Sequence, residues 1–177
     1  MLVHDDLVQV HRATVDDAAG IAALHEANCR EAIRLTRGHR EGVVSSHESA
    51  ETRWRNTLKL ASDDHRPWVA RLGDRTVGFV SAGPSRDTDA TPQTGELYVV
   101  DFDFSEGHGA GATALLHHAC RDLRAHGFVS VTFWVVARDI QVRSLLAADN
   151  WCEDEVWRRD RIGGIPILEY RYRKQLS

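Results

Sequence analysis

Three glycines that alternate with other residues, Gly107, Gly109 and Gly111, follow an apolar segment and precede a helical pattern that starts near Ala112. Because glycine has no side chain, the backbone N–H groups of such a loop can approach an anion closely. The free amides and the positive dipole end of the next helix would favour the same negative charge. The stretch therefore predicts a site for a diphosphate-bearing cofactor. A glycine-rich turn that binds nothing is the alternative, which the glycines alone leave open.

Four histidines lie in or near this stretch and could be mistaken for a metal site, namely His108, His117, His118 and His126. On a helix only residues three or four apart share a face, and the adjacent His117 and His118 do not. No H-x-x-x-H pair is present among them. We therefore expect no metal, and we expect His108 to donate a hydrogen bond to a phosphate instead.

The composition favours one soluble globular domain over residues 1–177, since 42% of the residues are hydrophobic and 27% are charged. Cys29, Cys120 and Cys152 are widely spaced and form no C-x-x-C pair, which favours reduced thiols, and Cys120 is expected to be an inert core residue. The N-terminus shows no signal-peptide pattern, and no apolar run approaches about 18 residues. We expect a cytoplasmic protein that does not enter a membrane.

The charge balance bears on the partners. A net charge of −4 and a pI near 6.2 give no overall attraction to nucleic acid and lean towards a cationic substrate. The run from Trp157 to Arg161 mixes both signs of charge, so we interpret it as a solvated face of a hairpin rather than a nucleic-acid patch.

Hydrophobic periodicity predicts the elements that precede the glycine stretch. Thr14 with Asp17 forms a capping-box pattern, which opens a helix whose residues Ile21, Leu24 and Ala27 would face the core. The predicted elements are a strand over 8–12, this helix to about 32, a second helix capped at Ser45 and Glu48, a hairpin of 68–72 and 76–81, and a strand over 97–104.

The clearest helix follows the glycines. Its predicted core positions are Ala112, Leu115, Leu116, Ala119 and Leu123. A buried strand over 129–136, a helix over 140–148 that ends at a left-handed Asn150, and a terminal hairpin of 155–161 and 165–173 around Gly163-Gly164 complete the chain. The predicted fold class is α/β, more narrowly an α+β mixed sheet of order β-α-α-β-β-β-α-β-α-β-β, antiparallel at both ends with one central parallel crossover.

This order and this loop together resemble the GNAT superfamily of acyl-CoA-dependent N-acetyltransferases over nearly the whole chain. In that family a Q/R-x-x-G-x-G/A signature after the fourth strand wraps the pyrophosphate of acetyl-CoA, and here it maps onto Glu106 to Gly111. The segment 161–171 is similar to the last hairpin of many bacterial members. The resemblance implies a GNAT-like fold and acetyl-CoA contacts at Gly107, His108, Gly109, Ala110, Gly111, Ala112, Val100, Asp101, Phe102 and Asp139.

Three positions depart from the family pattern. Glu106 stands where arginine or glutamine is usual, and a carboxylate beside a diphosphate is repulsive unless it points away or pairs with a cation such as Arg121 or Arg143. Leu146 stands where the family often has the tyrosine that is commonly proposed to protonate the leaving thiolate. Asp139 replaces a frequent asparagine, which keeps an acceptor and removes the amide donors.

The resemblance also implies catalytic roles. Glu96 is similar to a glutamate that removes the amine proton through a water in many relatives, and a solvated strand-end carboxylate is the alternative interpretation. Asp101 and Asp103 are second choices for the base. Backbone N–H groups around Val100 to Phe102 would hold the oxyanion, and water, Ser144 or Tyr98 would serve the leaving thiolate, although Tyr98 could simply be a packed aromatic.

Two functions remain open at this point. The first is transfer of an acetyl group from acetyl-CoA to a primary amine of a small molecule or peptide, and the second is a non-catalytic acyl-CoA-binding or regulatory module with the same fold. By analogy with relatives, a homodimer is expected. The candidates for the acceptor pocket are Trp54, Asp63, Asp64, Trp157 and Tyr170.

Overall fold

A seven-stranded mixed sheet organises the computed structural model, which describes residues 8–37, 49–105 and 109–176. The elements are β1 Gln9–Arg12, a 3₁₀ turn Val15–Asp17, α1 Ala18–Arg37, α2 Ala50–Lys59, β2 Arg66–Leu72, β3 Arg75–Pro84, β4 Thr94–Phe102, α3 Gly109–Ala125, β5 Ser130–Val136, α4 Ile140–Ala148, β6 Cys152–Ile162 and β7 Ile165–Gln175. This succession confirms the predicted order of strands and helices.

The strands lie side by side in the order β1-β2-β3-β4-β5-β7-β6. Within the described residues β4 and β5 form the one parallel pair, and every other pair of neighbouring strands is antiparallel. Parallel neighbours need a crossover connection, and α3 supplies it. The predicted central crossover is therefore confirmed, as are the antiparallel strands on either side of it.

Helices cover the two faces of the sheet. On one face α3 packs against the strands, and all five of its predicted core positions are fully buried. On the other face α1 and α2 pack over Val69 and Phe79 through Ile21, Leu24 and Leu58. Ala27 was predicted to face the core together with Ile21 and Leu24, but it is exposed, because it lies on the outer side of α1.

The helices begin and end at other residues than predicted. The capping box of Thr14 and Asp17 is present, but it caps the short 3₁₀ turn, from which α1 continues to Arg37. The cap of α2 is Ser49, whose Oγ accepts the Thr52 N–H at 3.1 Å; the predicted cap at Ser45 lies outside the described residues. The helix predicted to start near Ala112 begins at Gly109, because the glycines join its first turn.

Several turns contain left-handed backbone, and two of them bear on the predictions. Gly163 and Gly164 have φ values of 56° and 78° and join β6 to β7, as predicted for this hairpin. Asn150 has a φ of 59° and follows the end of α4, which confirms the predicted left-handed residue there. Within the described residues, no helix is long and apolar enough to cross a membrane.

Candidate functional site

A gap opens in the sheet where β4 and β5 stop pairing. Their parallel ladder runs from the Thr94–Ser130 pair to the Leu97–Phe133 pair and ends there. Beyond it β4 continues along β3, while β5 continues along β7. The two strands therefore separate, and the main chain of residues 98–102 faces that of residues 134–136 across the gap.

A bulge in β4 lies at the point where the gap begins. Leu97 pairs with Ala82 and Val99 pairs with Ser81, so that Tyr98 is an extra residue in β4. An extra residue reverses the alternation of side chains along a strand. Glu96 and Asp101 differ in parity along the chain, yet both face away from α3 because of this bulge.

The gap leads into a cleft of about 650 Å³. Its walls are residues 98–102 of β4, residues 133–136 of β5, one side of α1 between residues 25 and 33, and the β6–β7 hairpin with Glu169. A cleft of this size lies within the range of small-molecule and cofactor sites. Four of the residues predicted to contact the cofactor lie in these walls, namely Val100, Asp101, Phe102 and Asp139.

The other predicted cofactor contacts lie around the start of α3. Gly109 is the first residue of this helix, and a side chain added there would meet no atom within 4 Å. Gly111 packs against Val8 and Val77, and the Ala112 side chain is fully buried in the core. Ala110 lies in the first turn as well. Glu106, Gly107 and His108 lie outside the described residues.

Glu96 is buried rather than solvated. It is 3% exposed, and its Oε2 accepts a 2.7 Å hydrogen bond from the backbone N–H of Arg86. The Ser85 hydroxyl donates to the same oxygen at 3.4 Å, and the Arg86 guanidinium reaches Oε1 at 3.5 Å. The alternative interpretation of Glu96 as a solvated strand-end carboxylate is wrong, because the 85–87 segment folds over it.

Tyr98 and Ser144, the two side chains predicted to serve the leaving thiolate, lie in different surroundings. Tyr98 is half-buried in the cleft wall, and its hydroxyl donates to the Pro84 carbonyl at 2.5 Å. Burial raises the pKa of Tyr98 to about 12; Arg86, stacked 3.9 Å from the ring, works in the opposite direction. Ser144 is exposed on α4, on the side away from the buried Val142 and Leu146.

Asp139 has two structural roles. Its Oδ1 accepts the Val142 N–H at 3.0 Å and so caps α4, and its side chain also lines the cleft. Burial raises the pKa of Asp139 despite this hydrogen bond. The cation Arg143 is engaged elsewhere, with its Nε donating to the Tyr172 hydroxyl at 2.9 Å.

Asp101 belongs to a cluster of three polar side chains at the wall of the cleft, and its two partners, His25 and Cys29, were not predicted as site residues. His25 Nδ1 lies 2.9 Å from Asp101 Oδ2, and His25 Nε2 lies 3.5 Å from Cys29 Sγ. Burial alone would lower the pKa of His25, but the hydrogen bonds to Asp101 and Cys29 and the charge of Asp101 outweigh it and raise this pKa to about 10. The available signal was the four-residue spacing of His25 and Cys29, which places both on one helix face.

The candidates named for the acceptor pocket do not line this cleft. Trp54 packs edge-to-face on His25 and on Phe79, beneath the wall. Tyr170 lies on the α3 side of the sheet, and Trp157 is exposed on β6. The hairpin instead contributes Arg158, Asp160 and Arg161, whose charges were interpreted as a solvated face, together with Glu169.

A buried arginine closes the far side of this region. Arg171 on β7 donates to Asp89 Oδ1 at 2.6 Å, to Asp154 Oδ2 at 2.8 Å and to Asp87 Oδ2 at 3.1 Å. Asp87 Oδ1 also accepts the Trp134 indole N–H at 3.0 Å. These contacts fasten the loop between β3 and β4 to the β5–β7 half of the sheet.

Comparison with known proteins identifies the family. The model of the acetyltransferase (GNAT) family matches residues 23–147, a range that spans α1 to α4 and contains the gap. The chain therefore belongs to the GNAT acetyltransferase family. A search of the curated proteins gave no match.

Solved structures agree with the fold. A probable acetyltransferase from Staphylococcus epidermidis ATCC 12228 superposes with a TM-score of 0.72 at 10% identity, covering 97% of this chain and 100% of the other. The ribosomal-protein-alanine N-acetyltransferase from Brucella melitensis gives 0.69 at 16% identity, covering 94% and 99%. The Salmonella typhimurium protein yncA, solved with its cofactor acetyl-CoA, gives 0.65 at 15% identity, covering 96% and 94%.

The ion pair of His25 and Asp101 predicts a pH dependence of stability. The folded pKa of about 10 exceeds the ordinary value of 6.5, so the stabilisation is complete below pH 6.5 and disappears as the pH rises towards 10. Asp101→Asn should therefore lower the free energy of unfolding by about 1–2 kcal/mol at pH 6, a range reduced for the partial exposure of His25. Urea unfolding of both proteins between pH 6 and pH 10 measures this difference. A difference that stays constant over the range would contradict the assignment.

Proposed function

We propose that this chain transfers the acetyl group of acetyl-CoA to a primary amine of a small molecule or peptide. The observation that carries the proposal is the gap beyond the Leu97–Phe133 pair, where two separated strands present main chain to a cleft beside buried carboxylates. Acetyl-CoA would supply an acyl thioester, whose carbonyl carbon an amine can attack. The described cysteines are free thiols, which supports a cytoplasmic location.

We propose that two parts of the chain bind the cofactor, namely the first turn of α3 and the walls of the cleft. The first N–H groups of any α-helix have no partner within the helix, and at the start of α3 they and the positive end of the helix dipole would suit a diphosphate. The open space around Gly109 leaves room for such a group. The walls at Val100, Phe102 and Asp139 would orient the rest of the molecule.

Glu96 is the proposed base. An amine with a pKa of about 10.4 is mostly protonated at neutral pH and must lose a proton before it can attack. Glu96 lies one residue before the end of the β4–β5 ladder, on the same side of the sheet as Asp101. Ser85 and Arg86 enclose the carboxylate of Glu96. The proton would therefore reach Glu96 through a water, or directly after a small movement of the 85–87 segment.

The backbone of residues 100–102 is the proposed site for the oxyanion. These residues lie beyond the ladder between β4 and β5, so their main chain borders the cleft. Amide groups held by a strand need no reorganisation when charge develops on the carbonyl oxygen. Tyr98 keeps its proton at neutral pH and is the proposed donor to the leaving thiolate, with water as the alternative. The exposed position of Ser144 gives that residue no support.

A panel of amines tests the function. We expect free thiol to be released from acetyl-CoA with at least one small-molecule or peptide amine, at a rate that saturates with both substrates. Detection of the thiol in continuous assays measures it, with heat-treated protein as the control. Binding of CoA in calorimetry without turnover on any amine would instead favour a non-catalytic acyl-CoA-binding module.

Gly109→Val tests the site at the start of α3. The added side chain meets no protein atom near its Cβ, so the fold should persist while the bulk obstructs the proposed anion site. We expect CoA affinity to fall at least about tenfold, a change of about 1.4 kcal/mol in binding free energy. Calorimetry measures the affinity, and thermal unfolding of the same sample checks the fold. A folded variant with wild-type affinity would remove Gly109 from the site.

Glu96→Gln tests the base, with Glu169→Gln as the matched control. Both carboxylates are buried and accept from an arginine residue, and Glu169 lines the cleft. We expect Glu96→Gln to lower kcat about 100-fold at neutral pH, with a smaller loss as the pH approaches the pKa of the amine. Initial rates between pH 6 and pH 10 measure this. A larger loss from Glu169→Gln would transfer the assignment to that residue.

A further inference from the structure

The Arg86 side chain lies against both side chains that are proposed to transfer protons. Its guanidinium Nη2 lies 3.5 Å from Glu96 Oε1, and its guanidinium carbon lies 3.9 Å from the centre of the Tyr98 ring. A carboxylate oxygen beside an aromatic face binds cations, through its charge and through the electron-rich face of the ring. The structure thus contains a cation site with an arginine side chain in it.

The two carboxylate oxygens of Glu96 differ in their partners. Oε2 accepts the backbone N–H of Arg86 at 2.7 Å and the Ser85 hydroxyl at 3.4 Å. For Oε1, the Arg86 guanidinium at 3.5 Å is the one hydrogen-bond donor among the residues that the structure describes. A charge-assisted hydrogen bond from nitrogen to a carboxylate usually measures about 2.7–2.9 Å. Oε1 is therefore a weakly bonded oxygen of a buried carboxylate, and it can accept a closer N–H.

The residues before and after Arg86 hold its backbone in place. The Ser85 N–H donates to the Thr94 carbonyl at 2.8 Å, and Asp87 Oδ2 accepts from the Arg171 guanidinium at 3.1 Å. The Arg86 side chain itself is 67% exposed. It can therefore rotate into solvent while the backbone of the segment stays where it is.

A second arginine shows how a firmly held guanidinium differs. The guanidinium carbon of Arg158 lies 4.3 Å from the centre of the Trp134 ring, and its Nε donates to Glu169 Oε2 at 2.6 Å. Both arginines thus lie on an aromatic ring beside a buried carboxylate, but the guanidinium of Arg86 makes only the long 3.5 Å contact with its carboxylate. Arg86 is therefore the more easily displaced of the two.

We propose that the Arg86 guanidinium occupies the subsite of the acceptor's ammonium group and leaves it when the acceptor binds. The inference rests on the proposed function, because the acceptor is the amine of that reaction. In this subsite an alkylammonium group would donate to Glu96 Oε1, the oxygen that can take its proton, and its charge would face the Tyr98 ring. Tyr98 also lines the cleft, so the nitrogen would lie beside the proposed place of the thioester.

The chemistry of the subsite selects among amines. An alkylamine carries a positive charge at neutral pH, since its pKa is about 10.4, whereas an arylamine of the same size is neutral there. A neutral amine that displaced Arg86 would leave the buried carboxylate of Glu96 without a cation, which is costly. The acceptor is therefore an alkylamine that arrives in its charged form.

Arg86→Gln tests the subsite, because it removes the competing cation and keeps the backbone N–H on Glu96 Oε2. We expect the KM for an accepted alkylamine to fall at least about fivefold, while kcat changes less than about twofold. Steady-state rates at neutral pH measure both constants, and thermal unfolding checks the fold. Arg159→Gln is the matched control, since it removes the same charge from an exposed residue that does not line the cleft. It should leave both constants unchanged.

Methylguanidinium gives a second readout that needs no turnover. Arg86→Ala vacates the subsite, and this probe carries the same charged group as the side chain that was removed. We expect it to bind Arg86→Ala at least about fivefold more tightly than the wild type and to shift the NMR signals of the Tyr98 ring. In steady-state assays of this variant it should compete with the amine and not with acetyl-CoA.

The outcomes separate this inference from the proposed function. A lower kcat at unchanged KM in Arg86→Gln, or constants equal to those of the wild type, would overturn the subsite and leave the transferase function standing. Equal binding of methylguanidinium to Arg86→Ala and to the wild type would overturn it as well. Lack of turnover with every amine of the panel would count against the proposed function, and the binding of methylguanidinium would still decide for or against the cation subsite.

Discussion

The short parallel ladder between β4 and β5 is the constraint on which the rest of the structure depends. Four residue pairs, from Thr94–Ser130 to Leu97–Phe133, join the two halves of the sheet. Each strand then follows its antiparallel partner, since β3 holds β4 and β7 holds β5 along their remaining lengths. Antiparallel pairing with β3 and with β7 keeps both strands extended without further contact between them. The gap is therefore a consequence of strand pairing and needs no ligand to hold it open.

The bulge at Tyr98 determines which side chains meet beside this gap. Without it Glu96 and Asp101 would face opposite sides of the sheet, and the hydrogen bond from α1 to Asp101 could not form. With the bulge, the polar side chains of the site all lie on the side of the sheet away from α3. Glu96 lies near the end of the ladder, and His25 and Cys29 lie over the part where β4 and β5 have separated. The cleft thus combines main chain from the separated strands with charge from one face.

Sequence periodicity predicted the elements well because their signals are local. The apolar positions of α3 repeat along one helix face and are fully buried, and the order of elements follows from such patterns. The burial of Glu96 could not be predicted, because it depends on a loop that folds back over it from ten residues away. The contact of His25 with Asp101 joins residues 76 positions apart, and it depends on a bulge that propensities do not reveal. Local order thus gave the scaffold, whereas the polar contacts of the site required tertiary structure.

Ion pairs stabilise the β5–β7 part of the sheet on the face opposite α3, where few apolar side chains pack. On the face opposite α3, α1 and α2 cover Val69 and Phe79, but the β5–β7 part of that face carries Trp134 and Arg171 instead of an apolar layer. A buried guanidinium is costly to desolvate, and here carboxylates of Asp87, Asp89 and Asp154 offset that cost. Because these carboxylates come from the β3–β4 loop and from β6, the arginine ties both sides of the gap at its closed end. The other end of the gap can then stay open while the two halves of the sheet remain joined.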